Sequence, residues 1–172
     1  MCQSFSNIRD LLIRHFGDGV VLGEETVGLQ SALLIEPKQI VDVCLFLRNH
    51  QELYFDSLSC LSGVDGGAEN NLLGVVYHLY SVPYGHQLVL KIWVDVDRNS
   101  SFLPEVSSVS SVWRTAEWHE REVYDLLGVF FSNHPDLRRI LLPDDWEGYP
   151  LRKDYKPAET YHGIRIESTI TH

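Results

Sequence analysis

The stretch from Gln87 to Val96, QLVLKIWVDV, alternates its side chains between two faces more regularly than any other part of the chain. One face is aliphatic at every position, namely Leu88, Leu90, Ile92, Val94 and Val96. The other face carries Lys91, Trp93 and Asp95. A period of two is typical of a β-strand with one buried face. The stretch therefore predicts a strand in a sheet that packs against a hydrophobic core.

Two further strands precede this one in the chain. They are predicted over Leu53–Leu61 and Leu72–Val82, and turn sequences follow them at Gly63–Gly67 (GVDGG) and Val82–Gly85 (VPYG). The glycine-rich turn fits neither a Walker motif nor a dinucleotide fingerprint. Its position between two strands favours a turn over a nucleotide site.

The N-terminal part predicts a helix followed by two strands. Ser6 can cap a helix whose apolar residues recur every three or four positions, and Gly17 is placed to end it. Val20–Leu22 and Val27–Ile35 are predicted strands on either side of a turn at Gly23–Glu25.

Two more helices complete the predicted fold. The second begins at Pro37, and the third covers Val106–Leu127 and ends at Gly128. The order helix, two strands, helix, three strands, helix predicts an α+β fold over residues 1–128, with the helices on one face of a mixed sheet.

Residues 129–172 are predicted to form an extended C-terminal docking arm and tail rather than an independent domain. Sustained periodicity ends after Phe131, and charged residues, aromatics and prolines are then densely interleaved. The prolines are Pro135, Pro143, Pro150 and Pro157. Such a segment is too irregular for a core element and too aromatic for a disordered tail. We expect it to be ordered against a surface.

Composition excludes several classes of function. A chain of 172 residues with 44% hydrophobic and 22% charged residues can bury the core of a globular domain. Its formal net charge of -10 argues against nucleic acid and disfavours anionic lipid. The three cysteines, Cys2, Cys44 and Cys60, are too few and too scattered to hold an iron–sulfur cluster. They indicate a reducing compartment rather than a disulfide framework.

The sequence also bears on membranes and targeting. No apolar run is long enough to span a bilayer, and the N-terminus lacks the layout of a signal or transit peptide. We therefore expect a soluble protein that meets a membrane only through partners. The missing transit peptide and the short tail after Tyr155 favour a bacterial or organelle-encoded chain.

Charges of alternating sign follow one side of the third predicted helix. Arg121 follows Glu117 by four residues and precedes Asp125 by four, which predicts structural ion pairs and a partly buried guanidinium. Glu120 and Glu122 could be the acid and base of a hydrolase. Residues two apart on a helix point about 200° away from each other, however, so structural bonding is favoured for both, including bonds to the backbone of the arm.

Metal binding and nucleophilic catalysis find little support. No other His or Cys lies within four residues of His119 or His134, and no His-Glu-x-x-His pattern occurs. A Gly-x-Ser-x-Gly elbow is also missing. We expect His134, held extended by Pro135, to bond a carboxylate or a carbonyl group.

The polar and aromatic residues of the arm are candidates for a partner interface, because arginine and large aromatics anchor protein interfaces. The alternative is that they fix the arm to its own domain, and both roles can hold together. The predicted interface residues are His134, Asp136, Arg138, Arg139, Trp146, Tyr149, Arg152, Lys153, Asp154 and Tyr155.

One composite motif runs from Glu120 to Tyr155. It contains Glu-Arg-Glu at 120–122, Asp125, His134, a basic residue at 138, two aliphatic residues at 140–141, and Pro-Leu-Arg-Lys-Asp-Tyr at 150–155. This pattern resembles the signature of the C-type subunit of the proton-pumping NADH:quinone oxidoreductase, respiratory complex I (NDH-1).

The resemblance implies a hydrophilic protein packed on the quinone-site subunit (the D-type subunit of that complex), beside iron–sulfur subunits. That complex passes electrons from NADH to quinone and pumps protons, while FMN, iron–sulfur clusters and quinone belong to partner subunits and not to this chain. The implied location is peripheral, on the cytoplasmic face of a bacterial inner membrane or on the matrix or stromal side of an organelle. The enzyme is then the assembly, and this chain scaffolds it.

Two alternatives stay open. The chain could be the homologous subunit of a membrane-bound hydrogenase or of a photosynthetic NDH-type complex. More distantly, it could be a stand-alone small enzyme that uses Glu120 and Glu122.

Overall fold

The computed structural model describes residues 4–26, 30–67 and 69–165. Three α-helices lie in these ranges, α1 (Phe5–Phe16), α2 (Ile40–Asn49) and α3 (Ala116–Leu127), with a short 3-10 turn (Pro37–Gln39) leading into α2. The strands of the main sheet are β1 (Val21–Glu25), β2 (Ala32–Ile35), β3 (Ser57–Asp65), β4 (Leu72–Ser81) and β5 (His86–Asp95). Shorter strands are β6 (Glu105–Ser107), β7 (Phe130–Ser132), β8 (Thr160–Tyr161) and β9 (Ile164–Arg165).

The main sheet is mixed, as predicted. Its strand order is β1-β2-β5-β4-β3, in which β2 and β5 are parallel and every other neighbouring pair is antiparallel. The strand that the sequence defines best, β5, lies in the centre. Leu88, Leu90 and Ile92 point into the core, and they pair with Leu79, Tyr77 and Val75 of β4.

Residues of all three helices join the inward side chains of the sheet in one hydrophobic core. Ile8 and Leu12 come from α1, Val43 and Leu47 from α2, and Val123 from α3. The α+β class and the order of the main elements are therefore confirmed.

The start of α1 and the first predicted turn are corrected. The N-cap is Ser4, whose hydroxyl accepts the N–H of Asn7, so Ser6 lies inside the helix. Gly23–Glu25, predicted as a turn, continues β1, because Glu24 and Glu25 pair with β2. Glu25 also binds Lys91 of β5 at 2.7 Å. The predicted strand residues 27–29 lie outside the described ranges.

The region around the glycine-rich turn is also corrected. The third strand begins at Ser57 and not at Leu53, and it includes Gly63, Val64 and Asp65, for which the sequence predicts a turn. Gly63 faces α3 so closely that an added Cβ would lie 2.3 Å from a Leu127 methyl carbon. Strand β3 extends to Asp65 because its last three residues pair with β4, and the missing side chain of Gly63 lets α3 pack directly on it.

The third helix is shorter than the apolar pattern predicts. It begins at Ala116, while Val106 lies in β6, which pairs in parallel with β7. Val109 is buried, but in a turn whose N–H donates to the Glu120 carboxylate. The apolar residues of this pattern from Val106 onward are thus buried as predicted, but those before Ala116 lie in a strand and in turns and not in the helix.

Candidate functional site

The described part of the arm, residues 129–165, returns along α3 and bonds to it through buried charges. Asp125 is the centre of this contact, with a side chain that is 0% exposed. One of its carboxylate oxygens accepts three consecutive N–H groups, of Ile140 (3.0 Å), Leu141 (2.8 Å) and Leu142 (2.9 Å). The other accepts Arg139 at 2.7 Å. Asp125 therefore fixes the backbone of the arm at residues 140–142 by accepting consecutive N–H groups, as an N-cap side chain does at the start of a helix.

The electrostatics of Asp125 follow from these bonds. Burial alone raises the pKa of a carboxyl, but the N–H of Leu142, the Arg139 guanidinium and the other two N–H groups outweigh it. The pKa of Asp125 is lowered as a result. The group is a buried carboxylate with a full set of donors.

Arg139 connects Asp125 to the next part of the arm. Its guanidinium also donates to the carbonyl oxygens of Trp146 (3.1 Å) and Gly148 (3.4 Å). A planar fork with five donors can hold several acceptors in this way. Its side chain is 18% exposed, so this predicted interface residue faces its own domain.

Arg152 caps the end of α3. It donates to the carbonyl oxygens of Leu127 (2.6 Å) and Gly128 (3.2 Å), and its guanidinium lies 4.6 Å from the centre of the Tyr149 ring. Gly128 has φ 71°, and a Cβ there would come within 2.7 Å of Tyr149 and Arg152. The left-handed turn and the close approach of the arm both require glycine at this position.

The ion pairs predicted for Arg121 are not the bonds that the structure shows. Within the described ranges, its guanidinium donates to the carbonyl oxygens of Arg138 (3.1 Å) and Arg139 (3.0 Å), and not to Glu117 or Asp125. The guanidinium also lies 5.4 Å from the Trp118 ring centre. Asp125 is taken by Arg139, because the returning arm brings a cation closer than the next turn of the helix does.

Glu120 and Glu122 lie in different environments. Glu120 is fully buried and accepts the hydroxyl of Ser108 (2.6 Å) and the N–H of Val109 (2.8 Å), whereas Glu122 is exposed. Burial raises the pKa of Glu120 to about 7, although the bonds from Ser108 and Val109 oppose this. Glu120 therefore bonds the segment that precedes α3, whereas the sequence predicted bonds to the backbone of the arm.

His134 is fixed in one tautomer by two backbone groups. Its Nδ1 accepts the N–H of Asp136 (3.0 Å), so its Nε2 carries the proton and donates to the carbonyl of Glu117 (3.0 Å). Nε2 lies 3.9 Å from the Glu120 carboxylate. The expected bond to a carbonyl is therefore present, and it joins the start of the arm to α3.

A second ionic contact, which the sequence analysis missed, holds residues 153 and 154 of the arm. Arg98 binds Asp65 in a bidentate pair (2.6 and 3.1 Å) and also binds Asp154, and Asp65 accepts the N–H of Lys153 at 2.8 Å. These donors lower the pKa of Asp65 to about 2 against the opposing effect of burial. The only sequence feature that could have indicated this contact is Asp65, the single Asp in the glycine-rich stretch. Its partners lie 33 and 88 residues away in the chain.

The remaining predicted interface residues divide by exposure. Trp146, Tyr149 and Tyr155 are half-buried. Asp136, Lys153 and Asp154 are exposed, and Arg138 is 72% exposed, bound only to Asp136 within the described ranges. Among the exposed apolar side chains that were not predicted are Trp118 on α3 (63% exposed) and Leu141 on the arm (61% exposed).

We group Trp118 and Arg121 of α3 with Arg138 and Leu141 of the arm under the name α3–arm face. Arg121 joins its parts, since it lies against Trp118 and bonds the carbonyl of Arg138. Tryptophan and arginine dominate the binding energy of protein interfaces. The arrangement is suited to bind another protein.

Membrane and metal features can be stated for the described ranges. No helix there has the length and apolar character that crossing a bilayer requires. No three His, Cys, Asp or Glu side chains there are grouped to hold a metal ion. Cys44 is buried in the core, which raises the pKa of its thiol far above the ordinary value, and Cys60 is half-buried.

Comparison with known proteins gives the family. Residues 33–161 match the family of the 30 kDa subunit of respiratory-chain NADH dehydrogenase. A relative from Chlorobium phaeobacteroides, named as the C subunit of NADH-quinone oxidoreductase, is 46% identical over 158 residues, or 91% of this chain and 92% of that protein. The protein of the same name from Chloroherpeton thalassium is 48% identical over 72% of this chain and 49% of its own length. This chain belongs to the C-subunit family of NADH-quinone oxidoreductases.

A solved structure shares the fold. A chain of the membrane-bound sulfane sulfur reductase, an archaeal respiratory membrane complex, matches with a TM-score of 0.67 and 23% identity. The match covers 88% of this chain and 85% of that one. At this identity the likeness concerns the fold alone.

Proposed function

We propose that this chain is a non-catalytic subunit of an NADH-quinone oxidoreductase and that it holds the quinone-site subunit in position. The family and the names of its relatives support this proposal. The assembled complex transfers electrons from NADH to quinone and couples this to proton translocation. FMN, iron–sulfur clusters and quinone lie in partner subunits. For the clusters, the cysteine count supports this, since three scattered cysteines are too few to hold one.

The main support for the scaffolding role is that some residues of the arm bind its own domain while others remain exposed to a partner. Its inward residues, Arg139 and Arg152, bind α3 and fix the backbone. Its outward residues, Arg138 and Leu141, remain exposed. A segment that is ordered before binding loses less conformational entropy on docking, so the same contacts yield more affinity. The α3–arm face is then a preformed docking surface.

The partners follow from this assignment. The α3–arm face binds the quinone-site subunit, the D-type subunit of the complex, and neighbouring iron–sulfur subunits contact the rest of the chain. The protein is peripheral on the cytoplasmic face of a bacterial inner membrane and is held there by the complex. A formal net charge of -10 makes direct contact with nucleic acid or anionic lipid unfavourable.

The sequence-based alternatives are less well supported. The relatives named above belong to NADH-quinone oxidoreductases, which favours that complex over a hydrogenase or a photosynthetic NDH-type complex. A stand-alone hydrolase would need Glu120 and Glu122 on one substrate. One is fully buried and the other is exposed, so they cannot flank the same bond.

The test is purification of the tagged chain from detergent-solubilised membranes, with partners identified by mass spectrometry. The expected result is co-purification of the quinone-site and iron–sulfur subunits together with NADH:quinone activity, while the chain alone shows neither activity nor flavin or cluster absorbance. Recovery of hydrogenase subunits, or of the chain without partners, would contradict the proposal.

A further inference from the structure

A cavity of about 340 Å³ lies within the arm, between residues 145–147 and the β8–β9 hairpin. Its walls include the rings of Trp146, Tyr155 and Tyr161 and the acidic residues Asp145 and Glu147. The volume is at the lower end of the range for small-ligand sites, and it is sufficient for one long side chain. We term it the aromatic cavity.

Specific contacts build the aromatic cavity. The Asp145 carboxylate accepts the Tyr161 hydroxyl at 3.1 Å and binds His162 Nε2 at 2.9 Å. The Tyr161 ring centre lies 5.8 Å from that of Trp146. His162 and Gly163 have φ of 49° and 78°, the backbone of a tight two-residue hairpin turn. The hairpin is therefore held over Trp146 by Asp145 and by ring contact.

Two polar groups of the walls have no partner within the described ranges. The Glu147 carboxylate is exposed and makes no hydrogen bond or ion pair there. The indole N–H of Trp146 is buried and has no acceptor there. Buried hydrogen-bond donors almost always have an acceptor in folded proteins. Glu147 can therefore pair with a cation that enters the cavity, whereas the Trp146 N–H needs an acceptor and does not favour a cation over another occupant.

We propose that the aromatic cavity receives an arginine side chain from a basic segment of another subunit, an inference that rests on the docking function proposed above. Aromatic faces attract cations, and a guanidinium also stacks on rings and pairs with a carboxylate. Glu147 is the free carboxylate beside these rings, and no Lys or Arg lines the cavity. An apolar occupant would leave Glu147 without a partner.

The first test uses the full chain and a capped Gly-Arg-Gly peptide, followed by ¹H–¹⁵N NMR of the tryptophan indoles. The chain has four tryptophans, so Trp146→Phe assigns the relevant signal. The peptide should shift the Trp146 signal in a saturable manner at millimolar concentration. Glu147→Gln should weaken this binding about five-fold, because it removes one charge pair. The matched control is Glu105→Gln, at an exposed position outside the cavity.

The decisive comparison is a peptide with citrulline in place of arginine, which keeps the shape and removes the charge. It should not shift the Trp146 signal. Equal shifts from both peptides, an arginine shift that Glu147→Gln leaves unchanged, or no saturable shift up to about 20 mM would each overturn the proposal.

A second test separates this inference from the docking function. Glu147→Lys and Arg138→Glu are each expressed in cells, and the assembled complex is measured on a native gel. Less complex with both variants supports both claims. If Glu147→Lys assembles normally while Arg138→Glu does not, the aromatic cavity is refuted and docking by the α3–arm face stands. Normal assembly of both variants refutes both.

Discussion

At the scale of single residues, the two buried carboxylates of α3 have opposite electrostatics. Asp125 is surrounded by four donors and its pKa is lowered, so it is charged in the folded protein. Glu120 receives two neutral donors and no cation, and burial raises its pKa to about 7. The difference comes from the arm, which supplies Arg139 and three N–H groups to one carboxylate only.

Glu120 predicts a pH dependence of folding. Its folded pKa of about 7 lies above the ordinary value of 4.5, so its contribution is complete below pH 4.5 and is lost as the pH rises through 7. A shift of this size corresponds to about 3 kcal/mol. Glu120→Gln mimics the neutral acid and can still bond Ser108 and Val109. In urea unfolding, the parent should therefore lose about 2–3 kcal/mol relative to this variant between pH 5 and pH 8.

The comparison with the variant cancels the titration of the eight histidines, which both proteins share. Parallel pH profiles of the two proteins would show that Glu120 carries no proton in the folded state near neutral pH.

Asp125 predicts a large loss of stability on neutralisation. Asp125→Asn keeps the shape but leaves the Arg139 guanidinium without its counter-charge, and breaking a buried pair costs about 3–5 kcal/mol. Since the folded pKa is lowered, the deficit should be full above pH 4 and should shrink as the pH falls through the folded pKa. Urea unfolding at pH 7 and pH 3 measures both effects.

The matched control is Asp136→Asn. This carboxylate pairs with Arg138 at the surface, where both partners are exposed, so its loss should cost less than about 1 kcal/mol. Similar losses at positions 125 and 136 would contradict the role given to Asp125.

At the scale of elements, the contact between α3 and β3 depends on one glycine. A Cβ at Gly63 would lie 2.3 Å from Leu127 and 2.9 Å from Val123, and both side chains are buried. Gly63→Ala should force the helix away from the sheet and cost about 1–3 kcal/mol. Gly19→Ala is the control, since nothing lies within 4 Å of its Cβ and its φ is not positive. Equal unfolding midpoints for the two variants would show that α3 does not rest on Gly63.

Periodic elements were the part of the fold that could be predicted. Strand β5 and the buried face of α2 follow from local alternation and helical spacing, which one segment specifies by itself. The predictions were wrong at Gly63–Asp65 and at residues 106–115. In both places the backbone conformation is decided by residues outside the segment, the paired strand β4 in the first case and Glu120 in the second.

The candidate site shows the same limit. The composite motif identified the relevant residues, but the spacing along α3 paired Arg121 with Asp125. The structure pairs Asp125 with Arg139 instead, 14 residues along the chain. Helical spacing describes contacts within one element, whereas the return of the arm brings a competing cation that no local pattern encodes.

At the scale of the whole molecule, the arm behaves as part of the folded domain. It is bonded by His134, by Arg139 with Asp125, by Arg152 at the end of α3, and by Asp154 with Arg98. These four attachments along some twenty residues leave little freedom for the backbone between them. This is why the exposed residues of the arm can keep fixed positions before any partner binds.

The last prediction concerns assembly of the complex. The structure separates the roles of Arg138 and Arg139, which the sequence treats alike. Reversal of both Arg138 and Arg139 would mix two effects, because Arg139 is 18% exposed and bound to Asp125, while Arg138 is 72% exposed. Arg138→Glu alone should leave the circular dichroism spectrum and unfolding midpoint of the free chain nearly unchanged. It should reduce the assembled complex on a native gel, since truncation of an interface anchor commonly costs about 2 kcal/mol or more, roughly 30-fold in affinity.

The control for this prediction is Arg114→Glu, an exposed arginine outside the arm. It should change neither folding nor assembly. Arg139→Glu should instead unfold the free chain, because it places a second carboxylate against the buried Asp125. If Arg138→Glu folds and assembles like the parent, the α3–arm face does not bind the quinone-site subunit. The quinone-site subunit must then bind elsewhere, and the face of the main sheet away from the helices, with Lys91 and Trp93, becomes the surface to mutate next.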